Sequence, residues 1–156
     1  MKDFEEHLNI LLVEIFNNIL KYEERFLKTK HDPPITVSEA HMIEFVGRFK
    51  DPSIGQLANL LGITPPSATV AVKKLERKGI LTRLQSSDDG RKAHVYLTEI
   101  GKRIDRIHSI FHRRLVRTIS GQFSEDEQKI LLVAVQKISQ FFIDLDLKEK
   151  ANIHEF

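Results

Sequence analysis

Two groups of residues in this chain have the types and spacing to do chemistry. The first runs Thr64-Pro-Pro-Ser-Ala-Thr-Val-Ala-Val-Lys-Lys-Leu-Glu-Arg77. Wound as an α-helix, it places Ala68, Val72 and Leu75 on one face and Pro66, Ser67, Thr69, Val70 and Lys73 on the opposite one, with Lys74 and Arg77 at the margins. The hydroxyls of Ser67 and Thr69 can hydrogen-bond base edges or phosphates. Pro65, Pro66 and Val70 offer apolar contact suited to thymine methyl groups. Lys73, Lys74 and Arg77 suit phosphates, which set affinity and register more than sequence. Arg91 and Lys92 lie in the polar stretch Gln85–Lys92, where an arginine can enter a minor groove, and Asp89 stands two residues before Arg91 to orient it. The second group is His108 and His112, four apart, a usable spacing for two imidazole metal ligands on one helix face. Such pairs are also ordinary surface features.

The flanking elements read as a frame for the first group. Ser53 caps a short helix over Ile54–Leu61, Gly62 supplies a turn, and Thr64 caps the next helix with prolines in its first turn. Lys78-Gly79 stops it. Short strands are expected over Ile80–Leu84 and Ala93–Leu97, joined by the polar loop. This is a winged helix-turn-helix within a mainly α fold. On its N-terminal side, Phe4, Leu8, Leu11, Leu12, Ile15, Phe16, Ile19, Tyr22, Phe26 and Leu27 recur at helical spacing, so a helix is expected over about residues 3–28. Pro33-Pro34 ends it, and Thr36 or Ser38 caps a helix carrying His41, Met42, Phe45 and Val46 inward. On the C-terminal side, Thr98 caps a long helix, Ser120-Gly121 breaks it, and Ser124-Glu-Asp-Glu127 opens the last. The organisation is therefore 1–34, an N-terminal dimerisation helix; 35–98, the winged domain; and 99–156, a connecting and a C-terminal dimerisation helix. The first and last helices are bulky enough in apolar residues to imply packing against a second chain.

Composition narrows the function. Residues 49–120 hold 14 basic and 6 acidic side chains, against 6 and 9 in residues 1–48 and 4 and 7 in residues 121–156. Positive charge concentrated on the helix-turn-helix block is the electrostatic footprint of a nucleic-acid binder. Cysteine is absent, which excludes disulfides and thiolate sites. No signal peptide or bilayer-length apolar run is evident, so a cytoplasmic protein is expected, with no membrane partner. No nucleophile-and-base set, phosphate loop or catalytic carboxylate pair stands out, so an enzyme is not expected.

Leu75-Glu-Arg-Lys-Gly-Ile80, Asp89-Gly-Arg91 and Leu97-Thr-Glu-Ile-Gly101 resemble the MarR family of regulators. That resemblance implies a homodimeric transcriptional regulator, expected to act as a repressor, that binds a pseudo-palindromic double-stranded DNA operator under effector control. Ile15–Leu20, Ile35–His41 and Arg103–His112 are similar to the branch that represses fatty-acid biosynthesis genes, which implies a long acyl group on acyl carrier protein as effector. The double proline departs from the family pattern and leaves the operator open. An effector would lie between the first, second and fifth helices, with Ile19, Phe26, Phe45, Ile104 and Phe111 as candidate linings. No cofactor is required on this reading. The zinc-responsive branch is also similar, and Glu24, His41, His108 and His112 fall at positions matching its Zn2+ ligands, the alternative being a zinc-responsive regulator. A winged-helix interaction module without DNA binding is the remote alternative.

Overall fold

The computed structural model describes residues 2–30, 34–85 and 93–153. Among the described residues, six helices and two strands follow the order α1 (Lys2–Lys30), α2 (Val37–Phe49), α3 (Ile54–Leu61), α4 (Pro65–Arg77), β1 (Leu81–Gln85), β2 (Ala93–Leu97), α5 (Glu99–Ser120) and α6 (Glu125–Ile153). The two strands pair antiparallel with Leu81 opposite Leu97 and Gln85 opposite Ala93. The chain resolves into two units, Met1–Phe111 and His112–Phe156, with the division falling inside α5.

In the first unit the core gathers Leu27 of α1, Ile43 of α2, Leu57 of α3, Val72 and Leu75 of α4, Val95 of β2 and Ile104 of α5. Each sits where helical or alternating spacing directs it inward. Thr36, not Ser38, caps α2: its Oγ1 accepts from the Glu39 amide at 3.2 Å, and Glu39 accepts from the Thr36 amide at 3.0 Å. The hairpin enters one residue later than the sequence suggests. The Gly79 amide donates to the Glu76 carbonyl (2.8 Å) and the Ile80 amide to the Leu75 carbonyl (3.0 Å), with Gly79 at φ +69°. This pair of bonds closes the helix and takes Ile80 into the cap, so β1 starts at Leu81.

The second unit comprises the rest of α5, a turn and α6. Ser124 and Glu127 form a capping box, with the Ser124 amide donating to Glu127 Oε2 at 2.8 Å and the Glu127 amide to Ser124 Oγ at 3.4 Å. Gln128 closes the turn by donating to the Ser120 and Phe123 carbonyls (3.0 and 3.1 Å).

Candidate nucleic-acid interface and an inward Glu-His cluster

The helix-turn-helix is assembled by side chains that satisfy helix ends. Ser53 Oγ accepts from the Gln56 amide (3.2 Å) while Gln56 Oε1 accepts from the Ser53 amide (2.8 Å), which starts α3. Gly62 ends it at φ +62°, a conformation that an L side chain resists. Thr64 Oγ1 then accepts from the Ser67 amide at 3.4 Å and lies 2.9 Å from Ser67 Oγ. Pro65 and Pro66 occupy first-turn positions whose N–H groups would have no partner within the helix.

Ala68, Val72 and Leu75 are buried, which turns the other side of α4 outward. Pro65, Pro66, Ser67, Val70, Lys73, Lys74 and Arg77 are exposed and Thr69 is half-buried. Val70, 64% exposed, is a branched apolar side chain left open on a polar surface. Thr69 Oγ1 donates to the Pro65 carbonyl at 2.9 Å, so its hydroxyl must rotate before it can donate to a base. Lys74 Nζ stands 3.1 Å from Glu39. Arg91 and Lys92, with Asp89, lie outside the described residues.

Glu39 is a node that the sequence reading missed beyond its part in a cap. It is 7% exposed. Lys78 Nζ meets both its oxygens at 2.9 and 2.8 Å and also donates to the Pro34 carbonyl at 3.0 Å. Burial pushes the Glu39 carboxyl up. Hydrogen bonds from Lys78, the Thr36 amide and Lys74 outweigh that and hold it below the ordinary glutamate range. The start of α2 is thereby tied to the end of α4.

A second constellation joins α1, α2 and α5. Glu23, 2% exposed, places Oε1 2.6 Å from His108 Nε2 and 3.3 Å from His41 Nε2. His112 follows one turn after His108 on α5, and one ligand atom from each of the four residues lies within 4.8 Å of the others. His108 Nδ1 lies 3.7 Å from Glu44. The glutamate here is Glu23 and not Glu24. Glu24 faces away, paired with Lys28 at 2.9 Å, and both are more than half exposed. The inward line of α1 passes through Leu20, Glu23 and Leu27, and a residue one place on is turned by about 100°.

A family model described as MarR family matches residues 34–92. FabT of Streptococcus pneumoniae, solved in complex with DNA, is 33% identical with a TM-score of 0.88, spanning 90% of this chain and 99% of that one. The chain belongs to the MarR family. The uncharacterized HTH-type transcriptional regulator YkoM of Bacillus subtilis is 29% identical over 80% of this chain and 86% of its own. A MarR family protein from Bacillus stearothermophilus shares the fold, with a TM-score of 0.77 at 23% identity over 92% and 98% of the two chains. MarR regulators are DNA-binding transcriptional regulators and not enzymes, which agrees with the surface that α4 presents.

In this MarR chain most of the residues expected to line an effector pocket are packed into the interior. Phe26 lies against Phe111 with ring centroids 4.7 Å apart. Ile104 belongs to the core and Phe26 and Phe45 pack against it, while Ile19 is more than a third exposed. A ligand entering between Phe26 of α1 and Phe111 of α5 has to part these two rings.

Proposed function

We propose that this protein is a homodimeric repressor that reads a pseudo-palindromic double-stranded DNA operator with one α4 per subunit and responds to a fatty-acyl effector. The observation that carries the reading is the outward face of α4, where Ser67, Thr69, Val70, Lys73 and Arg77 share one surface of a helix capped at both ends. A helix so presented fits the major groove, and two of them about 34 Å apart would match one DNA turn. The apolar residues left exposed on α1 and α6 support a homodimer. The likeness to FabT, together with the short segments resembling the fatty-acid branch, supports an acyl effector.

Fluorescence anisotropy with the protein's own promoter DNA tests the reading. Lys73→Glu combined with Arg77→Glu abolishes operator binding at physiological salt, while sedimentation of the variant is unchanged. Full binding by that variant overturns the role of α4. Acyl carrier protein bearing a long acyl chain shifts operator affinity, and the unacylated form does not. Equal effects of the two overturn the acyl effector.

The Glu23-His41-His108-His112 grouping favours a second reading, a regulator that senses a divalent transition metal. Three imidazoles and a carboxylate form a donor set suited to zinc, and the buried Glu23 and His108 with the half-buried His41 and His112 bring their ligand atoms close enough to fit such an ion. Bound there, the metal would cross-link α1, α2 and α5. Metal analysis of tag-free protein yields about one zinc per subunit on this reading. Glu23→Gln loses that zinc and Glu24→Gln keeps it. Metal-free protein with chelator-insensitive DNA binding ends it.

A further inference from the structure

Three groups donate to the Glu39 carboxylate where α2 meets α4, and they are not equivalent. The Thr36 amide reaches Oε2 at 3.0 Å as half of the α2 capping box. Lys78 Nζ reaches Oε1 and Oε2 at 2.9 and 2.8 Å and spends its remaining N–H on the Pro34 carbonyl at 3.0 Å. Its side chain is only 21% exposed. Lys74 Nζ meets Oε1 at 3.1 Å. Among the described residues that ammonium has no other partner, and its side chain is 53% exposed.

This asymmetry decides which lysine can leave. Without Lys74, Glu39 keeps an ammonium on both oxygens and a backbone amide on one, so no buried charge is stranded. Without Lys78, both carboxylate oxygens and the Pro34 carbonyl lose a donor. Lys74 directly follows Lys73, about 100° round α4 from it, at the margin of the face that holds Ser67, Lys73 and Arg77. Its flexible stem lets the ammonium turn to Glu39 or out past that margin. A DNA phosphate beside α4 offers the same chemistry as the carboxylate, an anionic oxygen that accepts a charge-assisted hydrogen bond.

We propose that Glu39 is a positioning residue for DNA binding that stands in for a phosphate: it latches Lys74 onto α2 in the free protein and yields it to the DNA backbone in the complex. Lys78 stays behind and keeps α2 joined to α4. The exchange replaces one ion pair by another, so the latch lowers affinity without abolishing the contact. Lys73 and Arg77 have no such rival, since neither pairs with an acidic side chain among the described residues. The inference rests on α4 facing DNA, as proposed above.

Promoter binding by the full-length protein, measured across a salt series, is the test. Lys74→Gln reduces the steepness of log affinity against log salt by about 0.9, the loss of one phosphate contact. Glu39→Gln raises promoter affinity at low salt about two- to fivefold, the scale of a partly exposed ion pair. That gain disappears when Lys74→Gln is added, whereas a general effect of one fewer negative charge would persist. Should Glu39→Gln fold poorly, the wild-type protein still reports through NMR of its lysine ammonium groups: the Lys74 signal shifts on promoter DNA and the Lys78 signal does not. A salt slope unchanged in Lys74→Gln, a folded Glu39→Gln variant that binds promoter no tighter, a gain that survives in the double variant, or a Lys74 signal unmoved by DNA overturns the latch. Loss of binding in the Lys73→Glu, Arg77→Glu variant with affinity and slope unchanged in Lys74→Gln defeats the latch and leaves the α4 reading standing. Full promoter binding by the Lys73→Glu, Arg77→Glu variant defeats the α4 reading, and the latch with it.

Discussion

Glu39 shows how much of this fold hangs on one buried charge. Its carboxylate caps α2, anchors Lys78 and meets Lys74. Glu39→Gln keeps the shape and removes the charge, so the variant should lose about 1–3 kcal/mol at pH 7, measured by urea unfolding. The folded-state carboxyl is held below the ordinary value of 4.5, so its contribution is fully present above that pH and disappears as pH falls through the lower, folded value. The gap between wild type and Glu39→Gln should therefore close in acid; a gap constant down to pH 3 would show that the charge is not what matters. Gly101 is as constrained by space. A Cβ there would overlap the Ile80 carbonyl oxygen, a backbone atom whose displacement is costly. Gly101→Ala should destabilise by about 1–3 kcal/mol, read as a lowered Tm. Single residues were also where the sequence was least legible. Resemblance alone pointed to Glu24, while the inward line through Leu20, Glu23 and Leu27 selects Glu23. The lysine anchors of Glu39 lie 35 and 39 residues away in the chain, and helical spacing carries no trace of such a pairing.

At the scale of elements, most boundaries follow from chemistry local enough to be written in the sequence. Ser53, Gly62, Thr64 and Ser124 each do what their side chain, or lack of one, allows at a helix end. The α4 cap is the thinnest of these, because Pro65 and Pro66 carry no amide hydrogen and Thr64 has only the Ser67 N–H to serve, at 3.4 Å. Thr64→Ala should cost about 1 kcal/mol in stability. It should also weaken DNA binding, since Ser67 Oγ loses the partner that orients it. Unchanged DNA affinity alongside lowered stability would separate the cap from the reading surface. The start of β1 was legible only within one residue. Ile80 looks like a strand residue by type, yet its amide is used to close α4. The identity of a side chain does not say which carbonyl its amide will find.

For the whole molecule, the decisive feature is apolar surface that one chain does not cover. On α1, Phe4 and Phe16 are 69% and 65% exposed; on α6, Ile130, Phe141 and Phe142 are 70%, 61% and 60% exposed. A monomer rarely leaves large apolar side chains open in such numbers along two helices, and burial in a partner is the ordinary resolution. The sequence signalled this through stripes too bulky for one small core, but it could not say which residues of each stripe stay open. Sedimentation equilibrium should return twice the chain mass of 18.1 kDa at micromolar concentration, with a Tm that rises with protein concentration. Phe16→Glu and, separately, Phe142→Glu should shift the equilibrium to monomer, because each sets an unpaired charge in a surface that must dehydrate to associate. Operator affinity should then fall far more than in any single phosphate-contact variant. A monomer presents one recognition helix and reads a half-site, whereas a dimer gains the second half-site at high effective concentration. Monomeric wild-type protein with full operator affinity would contradict this, and the exposed faces of α1 and α6 would need another partner.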